Sequence, residues 1–292
     1  MEYAGGLAII GERHTPQETL AVTQEWITVG ALGDAFLPEN NCLRPVADLA
    51  RLTLTLHFEN GWIIEYHFTS ECSLSWKMVE GEDSSSTQGE ETYTATNPRS
   101  GIYFVDFIKR DKRATSVSFV LDFENSVFLA LVAQLPTKEQ AYIPPLERIE
   151  RRLELTAVSG SFLRGTIDKP FSPSAKIPAP TCDLIGRRIE YRYSPTELYE
   201  HIYLNDRFYT WRCIEGSEQG LTDTDTCHYY KIGPDLYLFA WREKLVPTLG
   251  VVMLDLSSMK TTGKIFGYET NAFRQVRNFG VGARVKVVAV IP

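Results

Sequence analysis

The chain has 292 residues, of which 43% are hydrophobic and 12% aromatic; this is enough apolar material for packed domains and too much for a disordered chain. Its formal net charge of −7 repels phosphate backbones and therefore disfavours nucleic-acid binding. No stretch approaches the roughly 18–20 apolar residues of a membrane-spanning helix, so we expect no membrane insertion.

The N-terminal residues MEYAGGLAIIGERH (1–14) have no basic flank before their short apolar run, so we predict no secretory signal. The five cysteines are widely spaced without a CxxC pair, which favours free thiols in a cytoplasmic protein. The glycines of 5–11 are a poor dinucleotide-binding fingerprint, because no clear strand precedes them. Residues 15–26 contain a Thr N-cap signal and are a helix candidate.

An internal repeat organises the rest of the chain. Three pairs of segments match in the same order: 54–68 with 189–203, 100–109 with 234–243, and 120–123 with 253–256. The offset between matched residues falls from 135 to 133 along the chain, as small differences in loop length would produce. The sequence therefore predicts a tandem duplication.

Both units contain the alternating pattern of half-buried strands, as in TLTLHF (53–58), IEYRY (189–193) and LYLFAW (236–241). Turn residues separate these runs, for example Asn60-Gly61 and Gly233-Pro234. Many short antiparallel strands favour a barrel, since closure removes exposed sheet edges. We therefore predict an all-β protein with minor helix.

Other segments carry local signals. The polar stretches 81–100 and 215–226, which follow the matched Trp76 and Trp211, are predicted to be loops, and residues 222–226 within the second a solvated or lid loop. Residues 144–155 begin as a helix candidate with prolines at the N-terminus. Residues 194–201 have a helix-like start, but their repeat partner favours a turn and strand.

The Pro-rich segment 172–180 divides the chain. We expect it to be a linker between residues 1–171, a first barrel with an N-terminal extension, and residues 181–292, a second barrel.

One strand face of the second unit collects unusual residues, because alternate residues of a strand share a face. On this face lie Tyr191, Tyr193, Tyr199, His201, Tyr203, Tyr209, Trp211 and Cys213, followed by Tyr237, Phe239, Trp241 and Glu243. If the face points inward, the lumen of a small barrel is aromatic with a few polar groups, which suits one bound ligand. The alternative is a packed core whose tyrosine hydroxyls bond to the backbone.

Glu243 also has two interpretations. A carboxyl group facing an apolar lumen has a raised pKa and can act as a general acid. Alternatively, Glu243 ends the strand in solvent and pairs with Arg242 or Lys244. The first unit has Lys109 at the matching position, so we expect the second unit to be the active one.

Metal and cofactor signals are weak. The five histidines show no HxH, HExxH or Cys–His spacing, and we expect no metal and no cofactor. His201 is either a base or a hydrogen-bonded core residue. The segment GSEQG (216–220) lacks the central Ser of a hydrolase elbow, and TDTDT (222–226) lacks a calcium-loop pattern.

Four segments carry a likeness to a known family: WITVGALGDAFLPENN (26–41), LHFENGWIIE (56–65), YEHIYLNDRFYTW (199–211) and YLFAWREKLVPTLGVVMLDL (237–256). With them, the whole chain resembles the MoaF-like proteins, which pair an N-terminal with a C-terminal MoaF-type domain. This resemblance implies a tandem of two lipocalin-like (calycin) antiparallel β-barrels.

Each unit is more distantly similar to the bacterial phenolic acid decarboxylases, which are small barrel enzymes without a cofactor. That family has a Tyr-x-Tyr pair on one strand and an acid on a later Trp-x-Glu strand. Tyr191 and Tyr193 match the pair, and 241–243 match the acid-bearing strand, with 210–216 between them.

One residue of the decarboxylase pattern is missing. That family has an arginine just after a loop glycine, whereas here Leu221 follows Gly220. Decarboxylation is therefore only one of the reactions that the resemblance implies.

We accordingly expect a cofactor-independent lyase, isomerase or cyclase of secondary metabolism, acting on a small aromatic or polyunsaturated metabolite. Catalysis is assigned to Glu243, Tyr191 and Tyr193. Substrate binding is assigned to Trp211, Trp241, His201, Tyr203, Tyr199, Tyr209 and Cys213. The alternative is a lipocalin-like protein that binds such a molecule without chemistry, and a homodimer is left open.

Overall fold

A computed structural model describes residues 25–81 and 87–290. The described chain forms two antiparallel β-barrels in tandem, which confirms the predicted fold class. The glycine-containing segment 5–11 and most of the helix candidate 15–26 lie outside the described residues. No helix in the described part of the chain is long and apolar enough to cross a lipid bilayer.

Within residues 25–81 and 87–290, three short helices accompany the strands. They are α1 (Val29–Phe36), which continues into a 3-10 turn (Leu37–Glu39), α2 (Lys138–Ala141) and α3 (Pro145–Glu150). α3 confirms the helix predicted at the start of 144–155. Its first residue is a proline, whose fixed φ suits the first turn of a helix. Proline has no N–H, but the N–H at this position would have no partner within the helix in any case.

The first barrel closes from eight strands. They are β1 (Thr53–Phe58), β2 (Ile63–His67), β3 (Ser73–Glu80), β4 (Gln88–Arg99), β5 (Ile102–Ile108), β6 (Thr115–Asp122), β7 (Val127–Gln134) and β8 (Ser159–Ile167). Each strand is antiparallel to the next, and β8 pairs with β1 to complete the ring. α2 and α3 lie in the connection between β7 and β8.

The second barrel repeats this order. Its strands are β9 (Ala179–Pro180), β10 (Arg187–Arg192), β11 (Leu198–Tyr203), β12 (Phe208–Glu215), β13 (Thr222–Gly233), β14 (Leu236–Arg242), β15 (Thr248–Asp255), β16 (Lys260–Tyr268), β17 (Val276–Val281) and β18 (Arg284–Val290). β10 to β16 follow one another around the ring. β17 pairs with β16 and β18 pairs with β10, so these two strands together occupy the place of β8.

The strand register confirms the internal repeat. Three cross-strand pairs of the first barrel have counterparts at the repeat positions of the second. The corresponding pairs are Leu56–Ile64 and Tyr191–Tyr199, Trp76–Gly89 and Trp211–Asp223, and Val105–Phe119 and Phe239–Val252. The offset of these pairs falls from 135 to 133, as the sequence match indicated. β11 begins at Leu198, so the turn and strand predicted for 194–201 are also confirmed.

The loop predictions for 81–100 and 215–226 were wrong over much of their length. Residues 88–99 form β4 and residues 222–233 form β13, so 222–226 is not a lid. The polar composition was misleading because the outer face of each strand contains exposed Thr or Glu, such as Glu90 and Thr92 in β4 and Thr222 and Thr224 in β13. The inner face of β4 contains buried Tyr93 and Ala95, and that of β13 contains buried Cys227 and Tyr229.

The two barrels share an apolar contact. A buried cluster combines residues of both, among them Phe104, Val120 and Leu129 with Leu238, Val251 and Phe266. Beside it the Lys264 ammonium pairs with the Asp106 carboxylate and bonds to the Ser116 hydroxyl. Arg99 of β4 pairs with Asp255 of β15 at 2.7 Å.

The buried ion pair across this contact predicts a large and asymmetric effect of mutation. Lys264→Met leaves the Asp106 carboxylate buried without its cation, and we expect a loss of about 3–5 kcal/mol of unfolding free energy. Adding Asp106→Asn removes the stranded charge and should recover part of that loss. Thermal and urea unfolding measure both.

The control is Lys260→Met, at an exposed position of the same strand, for which we expect a change below about 0.5 kcal/mol. A double variant no more stable than Lys264→Met alone would contradict the assigned role of this ion pair.

Candidate functional site

The aromatic face of the second unit points into its barrel. Tyr193, Tyr199, Tyr209, Trp211, Trp241 and Phe239 are all buried in one cluster with Tyr191, Tyr203 and Cys213. These side chains share the interior because alternate residues of a strand point to the same face. The intervening residues of the same strands lie on the outer face, where, for example, Arg212 pairs with Glu200 at 2.6 Å.

A small cavity lies at one end of this barrel, with a volume of about 30 Å³. Its walls are Tyr193, Tyr199, Tyr209, Trp211, Trp241 and Ile265. Its polar lining is His201, Glu218 and Glu243. A cavity of this size holds about one or two water molecules, so the barrel is nearly filled.

Glu243 lies at the cavity. Its carboxyl accepts a hydrogen bond from Trp241 Nε1 at 3.1 Å. The solvent-pairing alternative is wrong, because Arg242 pairs with Glu154 at 2.5 Å and Lys244 with Asp223. Burial, and then the nearby Asp225 and Glu218 carboxyls, raise the pKa of Glu243 well above its ordinary value.

Glu218 is a second carboxyl on the same cavity, and sequence reasoning missed it. Tyr199 donates its hydroxyl to Glu218 at 3.0 Å. Burial raises the pKa of Glu218 to about 7. It lies in a turn between β12 and β13 where no strand parity applies, so the sequence carried no signal for its direction.

Asp225 was also missed, although a signal existed. It accepts a hydrogen bond from Trp211 Nε1 at 3.0 Å, and burial raises its pKa. It shares the inner parity of Cys227 and Tyr229 in β13. Extending the alternation backwards from those residues would have placed it inside.

His201 lines the cavity with a neutral ring. Burial lowers the pKa of His201 to about 3, and its Nδ1 has no hydrogen-bond partner within the described residues. The ring packs on Tyr191 with 4.2 Å between centroids. A neutral imidazole offers one donor and one acceptor, so Nδ1 is a buried polar atom with an unused hydrogen-bonding capacity.

Three of the predicted residues lie behind the cavity rather than on it. Tyr191 and Tyr203 share a hydrogen bond between their hydroxyls in the filled part of the barrel. Cys213 Sγ donates to the Glu215 carbonyl at 3.3 Å, and burial raises the pKa of its thiol to about 11. The structure therefore brings Glu243 and Tyr193 together but leaves Tyr191 one layer deeper.

Helix α1 covers the mouth of the second barrel. Its apolar residues recur at helical spacing, and Leu32 and Phe36 line the cavity. Phe36 stacks on Tyr193 with centroids 5.0 Å apart. The predicted N-terminal extension of the first barrel thus contributes wall residues to the second.

Polar contacts hold α1 in this position. Thr28 caps the helix and donates its hydroxyl to the Glu269 carbonyl at 3.0 Å, and Asp34 pairs with Arg277 at 3.0 Å. Gly30 permits the close approach, because a Cβ there would collide with the Glu269 carbonyl oxygen. After the helix, the Asn41 amide donates to the Tyr193 carbonyl at 3.1 Å.

Fold and site define a tandem-barrel protein whose second barrel is aromatic and lined with acids. The MoaF N-terminal domain family matches residues 24–137, and the MoaF C-terminal domain family matches residues 178–291. Protein MoaF of Klebsiella aerogenes is 39% identical over 265 residues, which cover 91% of this chain and 96% of that protein. The chain therefore belongs to the MoaF family, as the sequence resemblance implied.

A solved structure from Burkholderia vietnamiensis, described as a candidate beta-lactamase, matches 38% of this chain and 100% of its own length. The identity is 17% and the TM-score 0.32. A likeness of that size carries no argument about fold or activity.

The raised pKa of Glu243 predicts a pH-dependent stability. The folded chain keeps this proton at pH values where the unfolded chain, with an ordinary pKa of 4.5, has lost it. The folded state therefore binds more protons, and the stability contributed by Glu243 falls as pH rises above about 4.5. Glu243→Gln lacks this titration, so its melting temperature relative to the parent should rise steadily between about pH 5 and pH 8.

Glu215→Gln is the matched control. Glu215 is exposed, and its hydrogen bond with Arg192 lowers its pKa, so its carboxylate is ionised in both the folded and the unfolded chain above about pH 5. The melting temperature of this variant relative to the parent should therefore stay level between about pH 5 and pH 8. Parallel pH profiles for the parent and Glu243→Gln would refute the assigned protonation.

The cover formed by α1 predicts that shortening Phe36 opens the cavity. Phe36→Ala should cost about 3–5 kcal/mol of stability and create space beside Tyr193. Crystals under xenon pressure should then show a xenon peak at this site, absent from the parent. Leu37→Ala, at the exposed neighbouring position, is the control; the same xenon peak in all three proteins would show that Phe36 does not fill the mouth.

Proposed function

We propose that the second barrel is the site of a cofactor-independent lyase or isomerase, ring closure included, acting on a small aromatic or polyunsaturated metabolite. The observation that supports it is the presence of two carboxyl groups, Glu243 and Glu218, on one enclosed aromatic cavity. Strongly perturbed acids in a cleft mark functional sites, and a packed core gains nothing from burying them.

The two carboxyls take different roles in this proposal. Burial raises the pKa of Glu243 well above its ordinary value, so Glu243 serves as the proton donor. Glu218, with a pKa of about 7, is partly ionised near neutral pH and serves as the proton acceptor. In an isomerisation Glu218 removes a proton from one carbon while Glu243 delivers one to another. In a lyase reaction the bond between a substrate carbon and the leaving fragment breaks. The electron pair of that bond stays on the carbon, and Glu243 protonates it.

Hydroxyl groups supply the polar support. Tyr193 and Tyr209 line the cavity, and burial raises the pKa of both, so each remains a neutral hydrogen-bond donor. Such donors stabilise negative charge that develops on a substrate oxygen. Trp211 and Trp241 offer flat walls for an aromatic or conjugated substrate.

Tyr191 acts in this proposal as a positioning residue. Its ring packs on His201 and stacks against Tyr193 with 6.1 Å between centroids. Its hydroxyl is bonded to Tyr203 and so holds these rings from behind.

Substrate entry requires α1 to withdraw. The cavity of about 30 Å³ is a tenth of the roughly 300 Å³ at which ligand pockets begin. Leu32 and Phe36 occupy the mouth, and their displacement gives a substrate access to Glu243.

The experiment compares the parent, Glu243→Gln and Tyr193→Phe after incubation with small-molecule cell extract, with products followed by mass spectrometry. We expect the parent to convert at least one conjugated compound. Glu243→Gln should lower that rate by roughly 10²–10⁴, the usual contribution of a general acid. Glu190→Gln, on the outer face beside Lys286, should turn over normally.

Unchanged turnover in both site variants would end the acid–hydroxyl proposal. A compound retained by the parent without chemical change would favour the alternative, a lipocalin-like binding protein.

A further inference from the structure

The first barrel contains a much larger cavity than the second. Its volume is about 320 Å³, against about 30 Å³ for the cavity of the second barrel. This exceeds the roughly 150 Å³ of an engineered cavity that admits benzene, and it reaches the lower end of small-molecule pockets. The sequence pointed to the second barrel alone.

The two cavities lie at equivalent ends of the repeat. Trp76 lines the first cavity, and its repeat counterpart Trp211 lines the second. Phe107 and its counterpart Trp241 correspond in the same way. The volumes differ for two reasons. Ile64 stands where the second barrel has the larger Tyr199, and in the described part of the chain α1 covers only the second barrel.

The charge at this end is reversed. Lys109 occupies the repeat position of Glu243 and lines the first cavity together with Lys112. The Lys109 ammonium lies 4.2 Å from the centroid of the Trp76 ring, a cation–π distance. Lys109 and Lys112 are the charged groups among the described lining residues.

Two acidic groups lie near Lys109, and one of them, Asp111, forms an ion pair with it outside the cavity. Glu91 lies beyond Trp76, where it accepts hydrogen bonds from Trp76 Nε1 at 3.4 Å and from the Arg110 backbone at 3.0 Å. Asp111 is 3.6 Å from the Lys109 ammonium and more exposed than Lys109. Neither carboxylate lines the cavity.

We propose that the first barrel is a binding site for a small aromatic carboxylate. The ring of the ligand lies among Trp76, Phe107 and Phe119, and its carboxylate bonds to the Lys109 ammonium at the mouth. This site is separate from the acid-lined second barrel, and it requires no displacement of α1.

The test uses the full chain and three ligands of one shape. Calorimetry should show that 2-naphthylacetate binds, that 2-naphthaleneethanol binds more weakly, and that 2-naphthylethylamine binds weakest. Lys109→Gln should weaken the binding of 2-naphthylacetate by roughly ten- to a hundredfold, as expected for loss of a charge-assisted hydrogen bond. It should leave the alcohol within about twofold. Lys77→Gln, at an exposed position of β3, is the control.

A second variant tests the location. Ile64→Tyr introduces the residue of the second barrel and should abolish binding of all three ligands, with a cooperative thermal transition as evidence of folding. A crystal structure with 2-naphthylacetate gives an independent measurement. Equal affinity for the three ligands, or density for the ligand in the second barrel, would overturn the proposal, while leaving the Glu243 chemistry to be judged by turnover.

Discussion

The second barrel depends on the enclosure of carboxyl groups among aromatic rings. Burial of an acid is unfavourable unless the group is neutral or well bonded. Glu243 meets this condition through its raised pKa and the Trp241 indole, and Glu218 through the Tyr199 hydroxyl. The enclosure itself is completed by Phe36 from the other end of the chain, so protonation, cavity volume and the position of α1 are coupled.

Duplication explains why two barrels with the same strand order have such different interiors. Strand pairing is a backbone property and survives exchange of inward side chains, provided that the alternation of faces is kept. Ile64 and Lys109 in one barrel, and Tyr199 and Glu243 in the other, change volume and charge at matched places without moving a strand. One barrel is thereby hollow and cationic at its mouth, and the other is filled and acidic.

The sequence predicted what depends on local periodicity. Alternation identified the inner face through Tyr193, Trp211 and Trp241, and the repeat arbitrated the ambiguous segment 194–201. The prediction from sequence failed where the burial of a residue depends on partners that are distant in the chain. The Thr and Asp residues of β13 are typical of a solvated loop, and only the contact with Trp211 explains why Asp225 is buried. Helix α1 contacts residues more than 150 positions away, and local periodicity contains no information about such contacts.

The chain around α1 constrains how the second barrel can open. Asn41 is bonded to the Tyr193 carbonyl, whereas Val46 is already bonded to Ala95 of the first barrel, its N–H donating at 2.9 Å. The tether between them is therefore only a few residues long. The interface that contains Lys264 and Asp106 fixes the two barrels side by side, so the opening required by the proposed function leaves α1 little freedom except rotation about this short tether. The Asp34–Arg277 pair and the Phe36–Tyr193 stack both join α1 to the second barrel, and the withdrawal of α1 in that proposal breaks both.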